Sequence, residues 1–243
     1  MPVPLSLPGR CGNLSSRRGE DGREDDYRAR APGTEVPEES RQDRSDKMID
    51  LEAPFRRATQ GDVQALAELV NIAGEGLPLY LWGKMAEAGE SAWEVGRRRA
   101  LRETGSFSYR NAVVAEVAGR VIAALIGYPL PDRPEPIDDR MPAMFVPLQE
   151  LENLAPGTWY VNVLATLAAY RARGHGTRLL GVAERLAAAA GRSGLSIIVS
   201  DANAGARRLY ERCGYVEVAT RAMVKEAWDH PGENWVLLVK PLP

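Results

Sequence analysis

The chain has few of the residues that would cross-link, charge or anchor it. Its 243 residues include two cysteines, Cys11 and Cys213, too few for a secreted disulfide scaffold. A formal net charge of −2 excludes a general attraction to nucleic acid or anionic lipid. No stretch reaches the roughly 18 uninterrupted apolar residues of a membrane span. With His175 and His230 as the two histidines, no zinc site is expected. These shortages predict a cytoplasmic globular protein that binds no metal, nucleic acid or membrane.

Residues 1–50 differ in composition from the remainder. They contain nine basic and eleven acidic side chains, one aromatic residue, and scattered Pro, Gly and Ser. Such a segment cannot bury enough apolar surface to offset its chain entropy. We therefore predict a disordered tail at 1–50 and a single domain at 51–243, in which 22 basic side chains balance 22 acidic ones. A further hypothesis is that the native chain starts at Met48, which the intact mass of protein from its native source would test.

Local signals in the first half of the domain predict both helices and strands. Thr59 followed by Asp62 is typical of a capping box that opens a helix. The turn Ala118-Gly119 separates two runs rich in Val, Ile and Ala, the pattern of a β-hairpin. The predicted elements are a strand at 54–58, a helix from about 62 to 73, one or two helices at 79–104, and a hairpin at 111–127.

A proline-rich stretch and an alternation of strands and helices complete the domain. Residues 129–156 carry seven prolines and predict an ordered insertion or lid over the sheet, with a short helix at 148–154. Strands are predicted at 158–165, 195–200, 215–220 and 235–240, and helices at 176–190 and 203–213. This order favours a mixed α+β fold, in which helices cover a central sheet.

The segment Arg171-Ala-Arg-Gly174-His-Gly176-Thr lies between a predicted buried strand and a predicted amphipathic helix. Two glycines permit a sharp turn with uncovered N–H groups, and the helix start adds unpaired donors and the positive end of its dipole. Arg173 and Arg178 would join Arg171 in supplying positive charge. Such a turn suits a pyrophosphate. The alternative is a structural strand-to-helix connection with exposed arginines.

Two motifs resemble those of a known family. Arg171-x-x-Gly174-x-Gly176 after an apolar strand is similar to the acyl-coenzyme-A signature of the GNAT superfamily of N-acetyltransferases. At the family's spacing follow the residues of its second motif, Asn203, Leu209, Tyr210, Gly214 and Tyr215. The resemblance implies a GNAT-like acyl-CoA N-acyltransferase fold with a mixed, mostly antiparallel sheet flanked by helices. It also implies acetyl-CoA as co-substrate, no metal, and direct attack by a primary amine of a small molecule, amino acid or peptide.

The same resemblance implies roles for individual residues. Tyr210 matches the general acid, and the backbone N–H of Leu164 matches the donor to the developing oxyanion. Asn162 stands where many relatives place a basic Glu; it cannot accept a proton at neutral pH, but it can orient a water or hold the amine. Contacts with acetyl-CoA are implied for Leu164, Ala165, Thr166, Arg171, Ala172, Arg173, Gly174, His175, Gly176, Thr177, Asn203 and Tyr210.

Other interpretations stay open from the sequence. Tyr210 has a packing role as its alternative, and Asn203 has a helix N-cap. Because Asn162 leaves the base unassigned, Tyr160 and three carboxylates are alternative bases: Glu116, Glu150 and Glu152. The rival function is a coenzyme-A-binding sensor or partner-binding module with little or no catalysis. The chain is expected to be a monomer or a homodimer.

The acceptor amine cannot be identified from the sequence. The resemblance places its cleft between 77–109 and 129–156, where large aromatic side chains could line an apolar pocket or form the core. For most of these we favour a place in the core; the residues are Trp82, Trp93, Phe107, Tyr109 and Phe145, together with Trp159.

Overall fold

A seven-stranded sheet organises the computed structural model, which describes residues 49–242. Of the tail predicted at 1–50, residues 1–48 lie outside the described residues. The strands are β1 Phe55–Arg57, β2 Ala112–Val117, β3 Arg120–Pro129, β4 Trp159–Thr166, β5 Gly194–Ser200, β6 Val216–Ala222 and β7 Asn234–Pro241. Their spatial order is β1-β2-β3-β4-β5-β7-β6. All neighbouring pairs are antiparallel except β4 and β5, which are parallel.

Helices cover both faces of this sheet. They are α1 Val63–Ala73, α2 Leu77–Met85, α3 Ala92–Ala100, α4 Val146–Glu152, α5 His175–Ala189 and α6 Ala204–Arg212. Helices α1 to α3 bury an apolar cluster against one face, where Leu66 packs with Val163. Helices α5 and α6 cover the opposite face, and α4 packs on β5 to β7 around Leu237. The predicted mixed fold with a mostly antiparallel sheet is confirmed.

Local interactions explain where several elements begin. The carboxylate of Asp62 accepts hydrogen bonds from the backbone N–H of Thr59 at 2.7 Å and from its hydroxyl at 3.0 Å, which completes the predicted capping box. Between β2 and β3, Ala118 and Gly119 have φ of 50° and 76°. Positive φ at both central residues is what a type I′ hairpin turn requires.

Two helices begin earlier than the sequence patterns predicted, for the same reason. The sequence predicts a helical segment from residue 79, whereas α2 starts at Leu77 and carries Pro78 in its first turn. Pro147 likewise lies in the first turn of α4, which starts at Val146 instead of residue 148. Proline suits these positions because its fixed φ matches the helix and its missing N–H is not needed there.

The expected aromatic core is present on the α1 to α3 face. Trp82 is buried, stacks on Phe107 with ring centroids 5.9 Å apart, and meets Trp93 edge-on at 6.1 Å. Trp159 is buried on the other face, among the residues that contact α5. Within residues 49–242, no helix is both long and apolar enough to cross a membrane.

Candidate active site

Strands β4 and β5 separate along their length. They pair only where Trp159 meets Leu195 and Tyr160 meets Ser196. Beyond these two pairs, β4 continues to Thr166 alongside β3, whereas β5 stays paired with β7. The sheet therefore opens into a gap between the carboxyl-terminal halves of two parallel strands, where backbone groups of β4 lack a neighbouring strand.

The backbone N–H of Leu164 faces this gap. Leu167 donates its N–H to the carbonyl of Ile122 on the β3 side, at 2.8 Å. Because residues of an antiparallel ladder alternate in direction, Ala165 also faces β3, and Leu164 and Thr166 face the opposite way. A donor at Leu164 is thus available to a ligand that enters between the strands.

A β-bulge places Asn162 beside the gap. Ile126 pairs with Val163 and Gly127 with Val161, so that Asn162 is the extra residue on β4. The bulge inverts the alternation of the strand, since Val161 packs on the α5 face and Val163 on the α1 face. Gly127 is required at this point, because a Cβ there would lie 2.5 Å from Nε1 of Trp159.

The turn predicted to hold a pyrophosphate forms the start of α5. Ala172 and Gly174 both have positive φ, 58° and 79°, and Gly174 is the N-cap residue. No side chain caps α5, so the N–H groups of its first turn stay open to an anion. His175 adds a buried Nδ1 that has no hydrogen-bond partner among residues 49–242.

Of the three arginines predicted around this turn, one links it to β4. Arg171 donates from Nε to the carbonyl of Thr166 at 3.1 Å. The guanidinium of Arg173 lies 5.4 Å from the ring centroid of Tyr170. Arg178 is directed toward β1, where it covers the ring of Phe55 at 4.6 Å and donates to the carbonyl of Ala53 at 3.3 Å. Positive charge at the turn therefore comes from Arg171 and Arg173.

Tyr210 lies close to both the gap and the turn. Its side chain is 5% exposed and packs in the cluster that includes Val161 of β4 and Val199 of β5. The preceding residue, Leu209, contacts the first turn of α5, since a Cβ on Gly176 would be 3.0 Å from its Cδ2. Burial, followed by the negative charge of Glu75, raises the pKa of Tyr210 above its ordinary value. The phenol is therefore protonated at neutral pH.

Comparison with known proteins assigns this arrangement to a family. The sequence profile of the acetyltransferase (GNAT) family matches residues 80–215, more than half of the chain. The chain belongs to the GNAT acetyltransferase family. This confirms the resemblance seen in the two motifs and identifies the protein as an acyltransferase.

Solved structures support the fold of this GNAT protein. A crystal structure of an acetyltransferase superposes with a TM-score of 0.55 and 24% identity, covering 78% of this chain and 99% of that one. An N-acetyltransferase from Staphylococcus aureus Mu50 gives a TM-score of 0.51 and 20% identity, with coverage of 76% and 98%. No curated protein matches the sequence.

The bases considered for this acetyltransferase are mostly engaged elsewhere. Glu116 is paired with Arg56 on the β1 side of the sheet. Glu150 accepts a hydrogen bond from Nε of Arg221 at 2.6 Å. Glu152 is buried in α4, and Tyr160 packs against the ring of Tyr128 at 5.7 Å. Within the described residues, no three His, Cys, Asp or Glu side chains group as metal ligands would.

Asn203 is a helix N-cap, which was the alternative to its predicted contact with coenzyme A. It caps α6, and its side-chain oxygen accepts from the N–H of Ala206 at 3.0 Å. Its Nδ2 donates to Oε1 of Glu75 at 2.8 Å. Its predicted contact with coenzyme A stays a prediction.

Sequence reasoning missed Glu75 and gave His230 no role at the site. Glu75 follows α1 between two glycines, and its Oε2 lies 2.8 Å from Nε2 of His230. These residues are 155 positions apart, and no pattern in the sequence links them. The one available signal was a single carboxylate set between Gly74 and Gly76 at the end of an amphipathic helix.

Proposed function

We propose that this GNAT protein transfers the acetyl group of acetyl-CoA to a primary amine of a small molecule, amino acid or peptide, by direct attack in a ternary complex. The observation that carries the proposal is the convergence on one gap of a free N–H at Leu164, the phenol of Tyr210, and the open helix start that follows Gly174. A single domain from residue 51 onward, with 129–156 as a lid, is part of the proposal.

The co-substrate would lie along β4 and end on α5. Its pantetheine arm would pair with the backbone of Leu164 to Thr166, which β5 leaves unpaired. Its pyrophosphate would accept from N–H groups of residues 172–177, near Arg171 and Arg173. His175 has an unpaired buried Nδ1 that suits the same phosphates.

Each residue at the gap would assist a different step of acyl transfer. The amine nitrogen attacks the thioester carbonyl carbon, and the N–H of Leu164 stabilises the oxyanion that develops there. The carbon–sulfur bond then breaks, and Tyr210 donates its proton to the departing thiolate. Asn162 would orient the amine or a water, since its side chain makes no hydrogen bond to residues 49–242 and lies half-buried at the bulge.

The acceptor side would be formed by the end of α1, the start of α2 and the insertion. Leu77 of α2, Met144 of the insertion and Trp228 form one apolar cluster, with Tyr80, Phe145 and Trp235 packed around it. Trp228 carries a buried Nε1 with no hydrogen-bond partner among the described residues. An amine with an apolar body fits this side of the gap.

Two measurements test the proposal. Calorimetry with acetyl-CoA should show binding in the micromolar range or tighter, and no binding at high micromolar concentration would overturn it. Release of free thiol with a panel of primary amines should then show turnover. Tight binding without turnover on any amine would instead support the coenzyme-A-binding module.

A further inference from the structure

The carboxylate of Glu75 is held in place at the end of α1. Its φ of 52° is in the left-handed region, between Gly74, which caps α1, and Gly76 at φ 90°. Both oxygens have a donor within the protein, Asn203 Nδ2 on Oε1 at 2.8 Å and His230 Nε2 on Oε2 at 2.8 Å. The side chain is 29% exposed, so the remaining lone pairs face solvent or a bound ligand.

His230 serves this carboxylate as a donor. The N–H of Gly232 donates to its Nδ1 at 3.0 Å, which requires the ring proton to be on Nε2, the nitrogen that faces Glu75. The ring is 3% exposed and stacks on Trp228 with centroids 4.3 Å apart. A buried imidazole fixed in this tautomer orients Glu75 and cannot itself take a proton at Nδ1 without losing the bond from Gly232.

Glu75 is linked to the helix that carries the proposed acid. Besides burial, its negative charge is one cause of the raised pKa of Tyr210, and the Asn203 side chain that donates to Glu75 also caps α6. One helix cap therefore joins a carboxylate to the element that carries the buried phenol. The next residue, Gly76, contacts Trp228 of the acceptor side, where an added Cβ would lie 3.7 Å from Nε1.

We propose that Glu75 is the general base of the reaction, positioned by His230 and Asn203, and that it supplies the function for which Asn162 is unsuited. This rests on the proposed function. Glu75 binds the acceptor ammonium, takes one proton from it and releases that proton to solvent. After attack the nitrogen loses its second proton, through water, to Tyr210, which has given its own to the thiolate. One amide, one thiol and one released proton balance the reaction.

Several charged groups share this environment. Glu75 and Cys213, which follows α6, both act on the pKa of Tyr210, and Lys225 donates to the backbone carbonyl of His230 at 2.9 Å. Lys225 also pairs with Glu233 at 3.7 Å. Of the carboxylates described here, Glu75 is the one that contacts both His230 and the cap of α6.

The test compares two Glu→Gly variants at positions with nearly the same positive φ. Glu75 and Glu226 have φ of 52° and 51°, so that glycine relieves strain equally at both. With the best amine of the panel, Glu75→Gly should lower kcat/KM by about 10²-fold or more, remove the acidic limb of the pH–rate profile, and leave acetyl-CoA binding unchanged. Added formate should restore part of the rate. Glu226→Gly should remain near wild type and should not respond to formate.

The outcomes separate this inference from the proposed function. If wild type neither binds acetyl-CoA nor turns over any amine, the proposed function fails and Glu75 as base fails with it. If wild type is active and Glu75→Gly retains its rate and its acidic limb, Glu75 alone is excluded. If Glu75→Gly is slow, still binds acetyl-CoA and is not accelerated by formate, Glu75 is likewise not the base.

A second variant tests the positioning role. His230→Phe keeps an aromatic ring against Trp228 but removes the donor to Oε2 of Glu75. We expect kcat to fall by about tenfold with KM and acetyl-CoA affinity unchanged, because the carboxylate is no longer held in one orientation. An unchanged kcat, or a loss confined to KM, would exclude His230 as a positioning residue.

Discussion

Tyr210 shows how one environment sets the protonation of a reactive side chain. A phenol in water already holds its proton at neutral pH, and burial near a carboxylate holds it more firmly by disfavouring the phenolate. Tyr215 has the same direction of shift, also caused mainly by burial, yet its hydroxyl is enclosed and unpaired among residues 49–242. Tyr210 and Tyr215 lie in one apolar cluster with ring centroids 5.9 Å apart, so the two phenols differ in the surroundings of the hydroxyl and little in burial.

The first prediction concerns the Tyr210 hydroxyl. Tyr210→Phe should lower kcat by about 10²-fold, because the thiolate leaves without a proton donor. Acetyl-CoA affinity, measured by calorimetry, should stay within about twofold, since the ring still fills its place. Tyr215→Phe is the matched control, with the same atom removed from an enclosed site, and should retain its rate. A Tyr210→Phe enzyme as fast as wild type would exclude Tyr210 as the acid.

Element boundaries depend on a few polar contacts. Asp62 joins two elements, because it caps the chain entering α1 and binds Arg56 of β1 at 2.7 Å. The Arg56 hydrogen bond holds the pKa of Asp62 below its ordinary value, assisted by the two bonds from Thr59. Stability from this group is therefore present above the pKa of the unfolded state and is lost as pH falls through the folded-state value.

The second prediction follows from this dependence of stability on pH. Asp62→Asn should lower the free energy of unfolding at pH 7 by about 1 kcal/mol, because a neutral amide accepts weaker hydrogen bonds from Arg56 than the carboxylate does. Denaturant titrations from pH 7 down to pH 3 should show a smaller difference in free energy of unfolding between variant and wild type in acid, where the wild-type carboxylate is protonated. A difference that stays constant with pH would contradict an ionic contribution.

The third prediction uses the two ends of α5. Gly174 at its start and Gly191 just beyond its end have φ of 79° and 65°, and an added Cβ would touch nothing at either position. Alanine should strain both positions similarly, by about 1 kcal/mol of stability. Gly174→Ala alone should weaken acetyl-CoA binding, by roughly fivefold, because the turn that presents the N–H groups relaxes. If calorimetry gives Gly174→Ala and Gly191→Ala the same affinity for acetyl-CoA, the turn at Gly174 is not part of the binding site.

At the scale of the whole molecule, the two motifs and the strand order along the chain could be predicted, because they depend on local periodicity and turn residues. The gap could not, since nothing in β4 or β5 shows that their pairing ends after Tyr160 and Ser196. Glu75 was missed for a related reason: its partners Asn203 and His230 are 128 and 155 residues away, and only the folded sheet brings them together.

The sheet itself consists of two parts, β1 to β4 and β5 to β7, joined by two residue pairs. A ligand seated in the gap would bridge these parts, and at 100 times its Kd it would stabilise the fold by about 2.7 kcal/mol. In residue-resolved amide exchange, the N–H of Leu164 should therefore slow by roughly tenfold or more when acetyl-CoA is added. Ala165 is the internal reference, since β3 already protects its N–H and any slowing there reports the stabilisation of the fold and not a bond to the ligand. Slowing at Ala165 without slowing at Leu164 would place the ligand outside the gap.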